Sequence, residues 1–185
     1  MVEEKRLRFK KIKENNLKSD SAIFRNITQP EIQISLLCKA LCQMMRFLTC
    51  NENIKSSIFY CSNNQLEKLF AVCGEDNIKA NITDLNNYSL AKNVLIKGES
   101  LIVNDTEKAE NFHKPKGCCA KAISIFPIYE GNSIIFIICF SSNKKNVFNE
   151  NNIEQYEKIV SVFSDRIKLE WHLFELLNVN LNERV

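Results

Sequence analysis

Residues 121–141 constrain the fold most tightly. Two apolar runs, Lys121–Tyr129 and Ser133–Ser141, flank Glu130-Gly131-Asn132. Each run has the length of an ordinary strand, and a glycine-bearing turn joins them, which predicts an antiparallel β-hairpin. Pro127 lies inside the first run and has no backbone N–H, so it belongs at a sheet edge or a bulge. Ser56–Ser62, Leu66–Cys73 and Ser100–Val103 read as further strands. Asn63-Asn64 suits a tight turn between the first two, since Asn tolerates positive φ.

Helical spacing marks three other segments. Thr28-Gln29-Pro30-Glu31 predicts a helix start, with a hydroxyl to cap, an acid three residues on and proline in the first turn. From Pro30 to about Leu48 the residues Ile34, Leu37, Cys38, Leu41, Met45 and Leu48 form one apolar face. Asn86–Lys97 predicts a second helix that stops at Gly98. Asn149 caps a long last helix over about 150–178, whose stripe runs through Ile153, Tyr156, Val160, Phe163, Ile167, Trp171, Phe174 and Leu177. Beyond Arg166, Leu169, Leu173 and Leu176 leave that stripe, so this end has more than one face to bury. Trp171 and Phe174 are expected to be exposed in a monomer. With Leu41, Met45, Phe163 and Ile167 they predict the interface of a homodimer.

The order helix, hairpin, helix, strand, polar loop, hairpin, long helix points to an α+β fold with a largely antiparallel sheet. Its 185 residues suffice for one domain without a metal or disulfide staple. The expected organisation is a basic arm over 1–28, a domain over 29–178 and a tail over 179–185. The longest apolar run, Ile134–Phe140, is far shorter than a membrane span. The charge-rich first twenty residues do not resemble a signal peptide, so the expected compartment is the cytoplasm and the eight cysteines are expected to be free thiols. A net charge of +3 is too small to argue for a polyanionic partner. The arm carries seven Lys/Arg from Lys5 to Lys18, but no aromatic platform or helix-turn-helix follows it, which argues against nucleic acid.

Four stretches resemble the GAF family of sensory domains. Ser100-Leu101-Ile102-Val103-Asn104-Asp105 looks like that family's strand ending in aspartate. Ala122-Ile123-Ser124-Ile125-Phe126-Pro127-Ile128 is similar to its apolar strand closing in Pro-Leu. Glu130–Phe136 resembles its glycine turn and following strand, and Val147–Asn152 resembles the entry to its last helix. Ile135 or Phe136 stands where the family usually has a second glycine. The resemblance covers about Pro30 to Leu177. It implies an antiparallel sheet of about six strands with the N- and C-terminal helices on one face and a pocket on the other. It also implies a sensory or regulatory role, binding an unidentified small molecule, acting through a homodimer and a separate signalling partner. That topology would bring Phe59, Cys61, Tyr88, Asp105, Phe112, His113, Cys118 and Cys119 to the pocket.

Cys118-Cys119 is the main candidate for chemistry. Lys114 and Lys116 precede it, and nearby positive charge lowers a thiol pKa. His113 lies five residues before Cys118. The plainer reading is a loop-to-strand junction with one cysteine packed and one exposed. An enzyme of the GAF family, free methionine-R-sulfoxide reductase, uses loop cysteines, and Phe112–Cys119 is loosely similar to its motif. No aspartate follows the pair here, however, and no cysteine stands near the start of the second helix. A small thiol enzyme is therefore the alternative to a non-catalytic domain, and an interaction module whose pocket is filled by Phe59, Phe70 and Phe126 is a further one. No C-x-x-C or H-x-x-H pair exists, so no metal site is predicted. No motif names a cofactor. The cysteine that holds a bilin in phytochrome-like relatives would fall near Glu107 to Glu110, where there is none. Haem needs an axial ligand. Of the only histidines, His172 belongs on the last helix and His113 is a lone loop histidine, more often solvent-exposed than a ligand.

Overall fold

A computed structural model describes residues 29–63, 65–73, 89–109 and 119–182. Its first element, α1 (Pro30–Thr49), starts with proline at the first helical position, where a missing N–H costs nothing. Gln29 is its cap residue and makes no side-chain capping bond, and Thr28 lies outside the described residues. The strands are β1 (Ile54–Ser62) and β2 (Gln65–Cys73), joined through Asn63 at φ 49°. Then come α2 (Ser89–Lys97) and β3 (Leu101–Val103). The hairpin β4 (Ala122–Glu130) and β5 (Ser133–Ser142) leads through a short 3-10 turn to α3 (Ile153–Asn182). The Asn149 side chain accepts the Asn151 N–H at 3.0 Å, as its capping role requires.

The strands form one antiparallel sheet in the order β2-β1-β5-β4-β3, five strands among the described residues. β3 pairs with β4 only from Ile123 to Ile125. Pro127 thus falls where β3 has already ended, one residue before the bulge between Ile128 and Tyr129. Both settings relieve the sheet of its missing N–H.

The sheet is covered on both faces. Ile54, Ile58, Phe126, Ile128, Phe136, Ile138 and Phe140 pack against α1 and α3. Successive residues point to opposite faces, so Phe59, Ile125 and Ile137 look the other way, towards α2. Gly98 ends α2 at φ +72°, and its N–H donates to Val94 O at 2.8 Å. A Cβ there would sit 2.7 Å from the Tyr129 hydroxyl, which donates to Gly98 O. Glycine therefore fits both the turn and the close approach.

The expectation that Trp171 is exposed in a monomer is overturned. Leu41, Met45 and Ile167 are fully buried inside a single chain, and Trp171 is 7% exposed. Trp171 lies 4.1 Å from the Tyr60 ring and 5.5 Å from Phe136 between centroids, and stacks on Phe174. Phe163 and Phe174 pack partly buried against the same core. The cause is length. Strands of nine or ten residues run roughly 30 Å, and a helix needs about 20 residues to follow them. From Ile153 that reaches Trp171, which still has sheet beneath it.

Trp171→Ala should therefore cost about 3–5 kcal/mol in a urea unfolding curve. A loss under about 1 kcal/mol, the range of surface changes, would show that the ring is not part of this core.

Candidate functional site

The far face of the sheet offers a floor under α2. Phe59 and Cys61 come from β1, Ile125 from β4, and Ile137 and Cys139 from β5. Leu90, Ala91, Val94 and Leu95 of α2, spaced for one helix face, close over it. Every one of these side chains is apolar or a thiol. Burial pushes the Cys61 thiol up to about 12 and raises Cys139 as well. Both therefore stay protonated at neutral pH and are poor nucleophiles. On the opposite face Cys38 is pushed up to about 12 and Cys42 to about 11, again chiefly by burial. The Cys42 thiol donates to Ile54 O at 3.1 Å, and the Cys38 sulfur lies 3.2 Å from the Ser56 hydroxyl. These thiols act as small hydrophobes in the core.

Asp105 has a partner of its own. One carboxylate oxygen accepts the Glu107 N–H at 3.1 Å and the other accepts from Lys145 at 3.1 Å. Lys145 also donates to Glu107 at 2.5 Å. Beside it, Asn104 donates to Phe148 O at 2.7 Å and accepts the Phe148 N–H at 3.0 Å. The Asn104-Asp105 motif thus clips the end of β3 to the segment that enters α3. The hydrogen bond from Lys145 lowers the Glu107 carboxyl below its ordinary range. At Asp105 desolvation works upwards, but the Lys145 and Glu107 hydrogen bonds outweigh it and the net shift is down.

Of the expected pocket residues, the structure brings Phe59 and Cys61 together on the floor and places Asp105 in the clip. Cys119 is exposed at the start of the β4 hairpin and is not in a disulfide. Tyr88, Phe112, His113 and Cys118 lie outside the described residues. His172 sits half-exposed on α3 with Nε2 2.7 Å from Glu130. Sequence reasoning missed Leu90, Val94, Ile125, Ile137 and Cys139. The signal was present: β4 and β5 are apolar on both alternating sets, which means a sheet buried on both faces. Among the described residues no group of three or more His, Cys, Asp and Glu side chains is arranged to hold a metal ion, and no helix is long and apolar enough to cross a membrane.

No protein-family profile and no curated protein matches the chain. Solved structures do. A GAF domain/HD domain protein from Geobacter sulfurreducens matches with a TM-score of 0.57 at 12% identity, over 80% of this chain and 97% of that one. The chain has a GAF-like fold. Residues 122 to 287 of a methyl-accepting chemotaxis protein match with a TM-score of 0.56 at 11% identity, over 81% and 95% of the two chains. Type II free methionine-R-sulfoxide reductase from Thermoplasma acidophilum matches with a TM-score of 0.58 at 16% identity, over 78% and 94%. The GAF-like architecture is therefore shared by a signalling protein and by a reductase, and the fold alone does not choose between them.

The clip gives a pH test. Glu107 and Asp105 have lowered carboxyl values, so their contribution to folding is complete above the unfolded carboxylate range. It is lost as pH falls through the folded values. In Lys145→Met protein the Glu107 midpoint, followed by carboxyl NMR, should move up towards the ordinary glutamate value. An unchanged midpoint would show that Lys145 does not hold it.

Proposed function

We propose that this chain is a non-catalytic sensory domain that binds a small apolar molecule between α2 and the far face of the sheet. It acts through a dimer and a separate output partner. The observation that carries the reading is the floor itself. Phe59, Ile125 and Ile137 supply dispersion and desolvation but no charge, and the thiols beside them are protonated. Such a surface recognises shape and apolar area rather than polar chemistry. Among the described residues of the floor there is no nucleophile or acid–base pair to turn a ligand over, which weighs against a thiol-enzyme role for Cys61 and Cys139. Two structural relatives fit this reading, since one is part of a methyl-accepting chemotaxis protein and another is a GAF domain/HD domain protein.

The dimer surface is reassigned from the buried stripe to the exposed one. Val162, Leu169 and Leu176 follow each other at seven-residue intervals on α3 and are 76%, 42% and 56% exposed. Seven-residue spacing keeps apolar side chains on one seam when two helices pair. On α1, Phe47 at 83% and Leu36 at 54% add exposed apolar area. A ligand changes output only if it binds two arrangements of this dimer with different affinity.

One observation favours a second reading, an interaction module with a filled pocket: Leu90, Ala91, Val94 and Leu95 already pack on the floor. Native mass spectrometry of protein purified from its own host separates the two. The sensory reading expects a dimer carrying additional non-protein mass, and Leu169→Glu should convert it to monomer. A bare dimer supports the filled module, and a bare monomer removes both the ligand and the dimer.

A further inference from the structure

A second concave site lies on the helix side of the sheet, away from the floor under α2. Among the described residues β3 stops pairing at Ile125, and the end of β4 pairs with β5 alone. A groove of about 630 Å³ opens there between β4, the link Gly98–Ser100 and the first half of α3. That volume is in the range of small-molecule sites. Pro127 lies on the open edge and has no N–H, so the groove is ill suited to a strand added from a peptide.

Most of the polar side chains around this groove present acceptors. The Ser161 hydroxyl gives its proton to Lys158 O at 2.8 Å, Ser164 gives its own to Ser161 O at 2.7 Å, and Tyr129 donates to Gly98 O. What these hydroxyls present outward is lone pairs. Glu99 on the link and Glu157 on α3 add a carboxylate to each wall, and no ion pair holds either of them among the described residues. No lysine, arginine or histidine is among the described residues that line the groove. Beneath the rim, Ile128, Ile153 and Val160 are apolar.

We propose that this groove binds a small aliphatic diamine or polyamine. An ammonium group is a donor only, so it complements a rim of acceptors. Two exposed carboxylates, one on the link and one on α3, suit two ammonium groups, and the apolar base suits the methylene stem between them. The site is independent of the ligand proposed for the far face, and either can fail without the other.

The test is calorimetric titration of the full chain with putrescine and with spermidine at low salt, repeated at 0.5 M salt. The expected result is saturable one-site binding that weakens with salt. Glu99→Gln and Glu157→Gln should each weaken it about tenfold, while Glu154→Gln, on the same helix but outside the groove, should leave it unchanged. Backbone NMR shifts should centre on residues 98–100 and 157–164. The proposal is overturned by absence of binding, by equal binding in the Glu99→Gln/Glu157→Gln double variant, or by shifts centred on Phe59 and Ile137. Folding of the Gln variants is checked by their unfolding midpoints, which should match the parent.

Discussion

The sheet must be sealed on both faces, and the other features of the molecule follow from that requirement. A strand with one wet face alternates apolar and polar residues, whereas β4 and β5 are apolar almost throughout. Their apolar side chains would carry a large exposed surface unless helices covered both sides. α1 and α3 cover one side and α2 the other. Polar groups that remain inside are few. Ser56 donates to Cys38 O at 3.0 Å, and Ser124 is fully buried, with no hydrogen-bond partner for its hydroxyl among the described residues. An unmet hydroxyl in such a place costs stability.

The two faces are one residue apart along the chain, and this gives the proposed sensor a physical route. Phe59 and Ile137 sit on the floor, while their neighbours Tyr60 and Phe136 hold the Trp171 ring on the other face. Under that proposal, a molecule pressing on the floor would displace the strands that carry α3. Close-packed interiors pass such displacements on rather than absorb them. The exposed seam of Val162, Leu169 and Leu176 is on the same helix, so in the proposed sensor a shift at Trp171 would reach the proposed docking surface.

Much of this was legible in the sequence. The Glu130-Gly131-Asn132 hairpin, the placement of Pro127 and the stop at Gly98 follow from local backbone chemistry, and the structure has each of them. The Ser100–Asp105 and Ala122–Ile128 stretches were enough to suggest the architecture. The site was less legible, because its residues meet only through the sheet register. Ile125 and Ile137 read as generic strand residues until β4 and β5 are aligned. Asp105 looked like a ligand-facing acid because its partner, Lys145, is forty residues away in sequence. The expected exposure of Trp171 failed for a geometric reason: apolar residues late in α3 imply burial, but periodicity alone does not say whether a sheet or a second chain provides it. Strand length decided that for Trp171.

The most direct test of the central claim is an experimental structure of the protein isolated from its own host and never exposed to denaturant. The account predicts non-protein density between α2 and the floor, in contact with Phe59, Ile125 and Ile137. The same direct packing of Leu90, Ala91, Val94 and Leu95 on Phe59, Ile125 and Ile137 in protein from its own host, with no non-protein density, would contradict it.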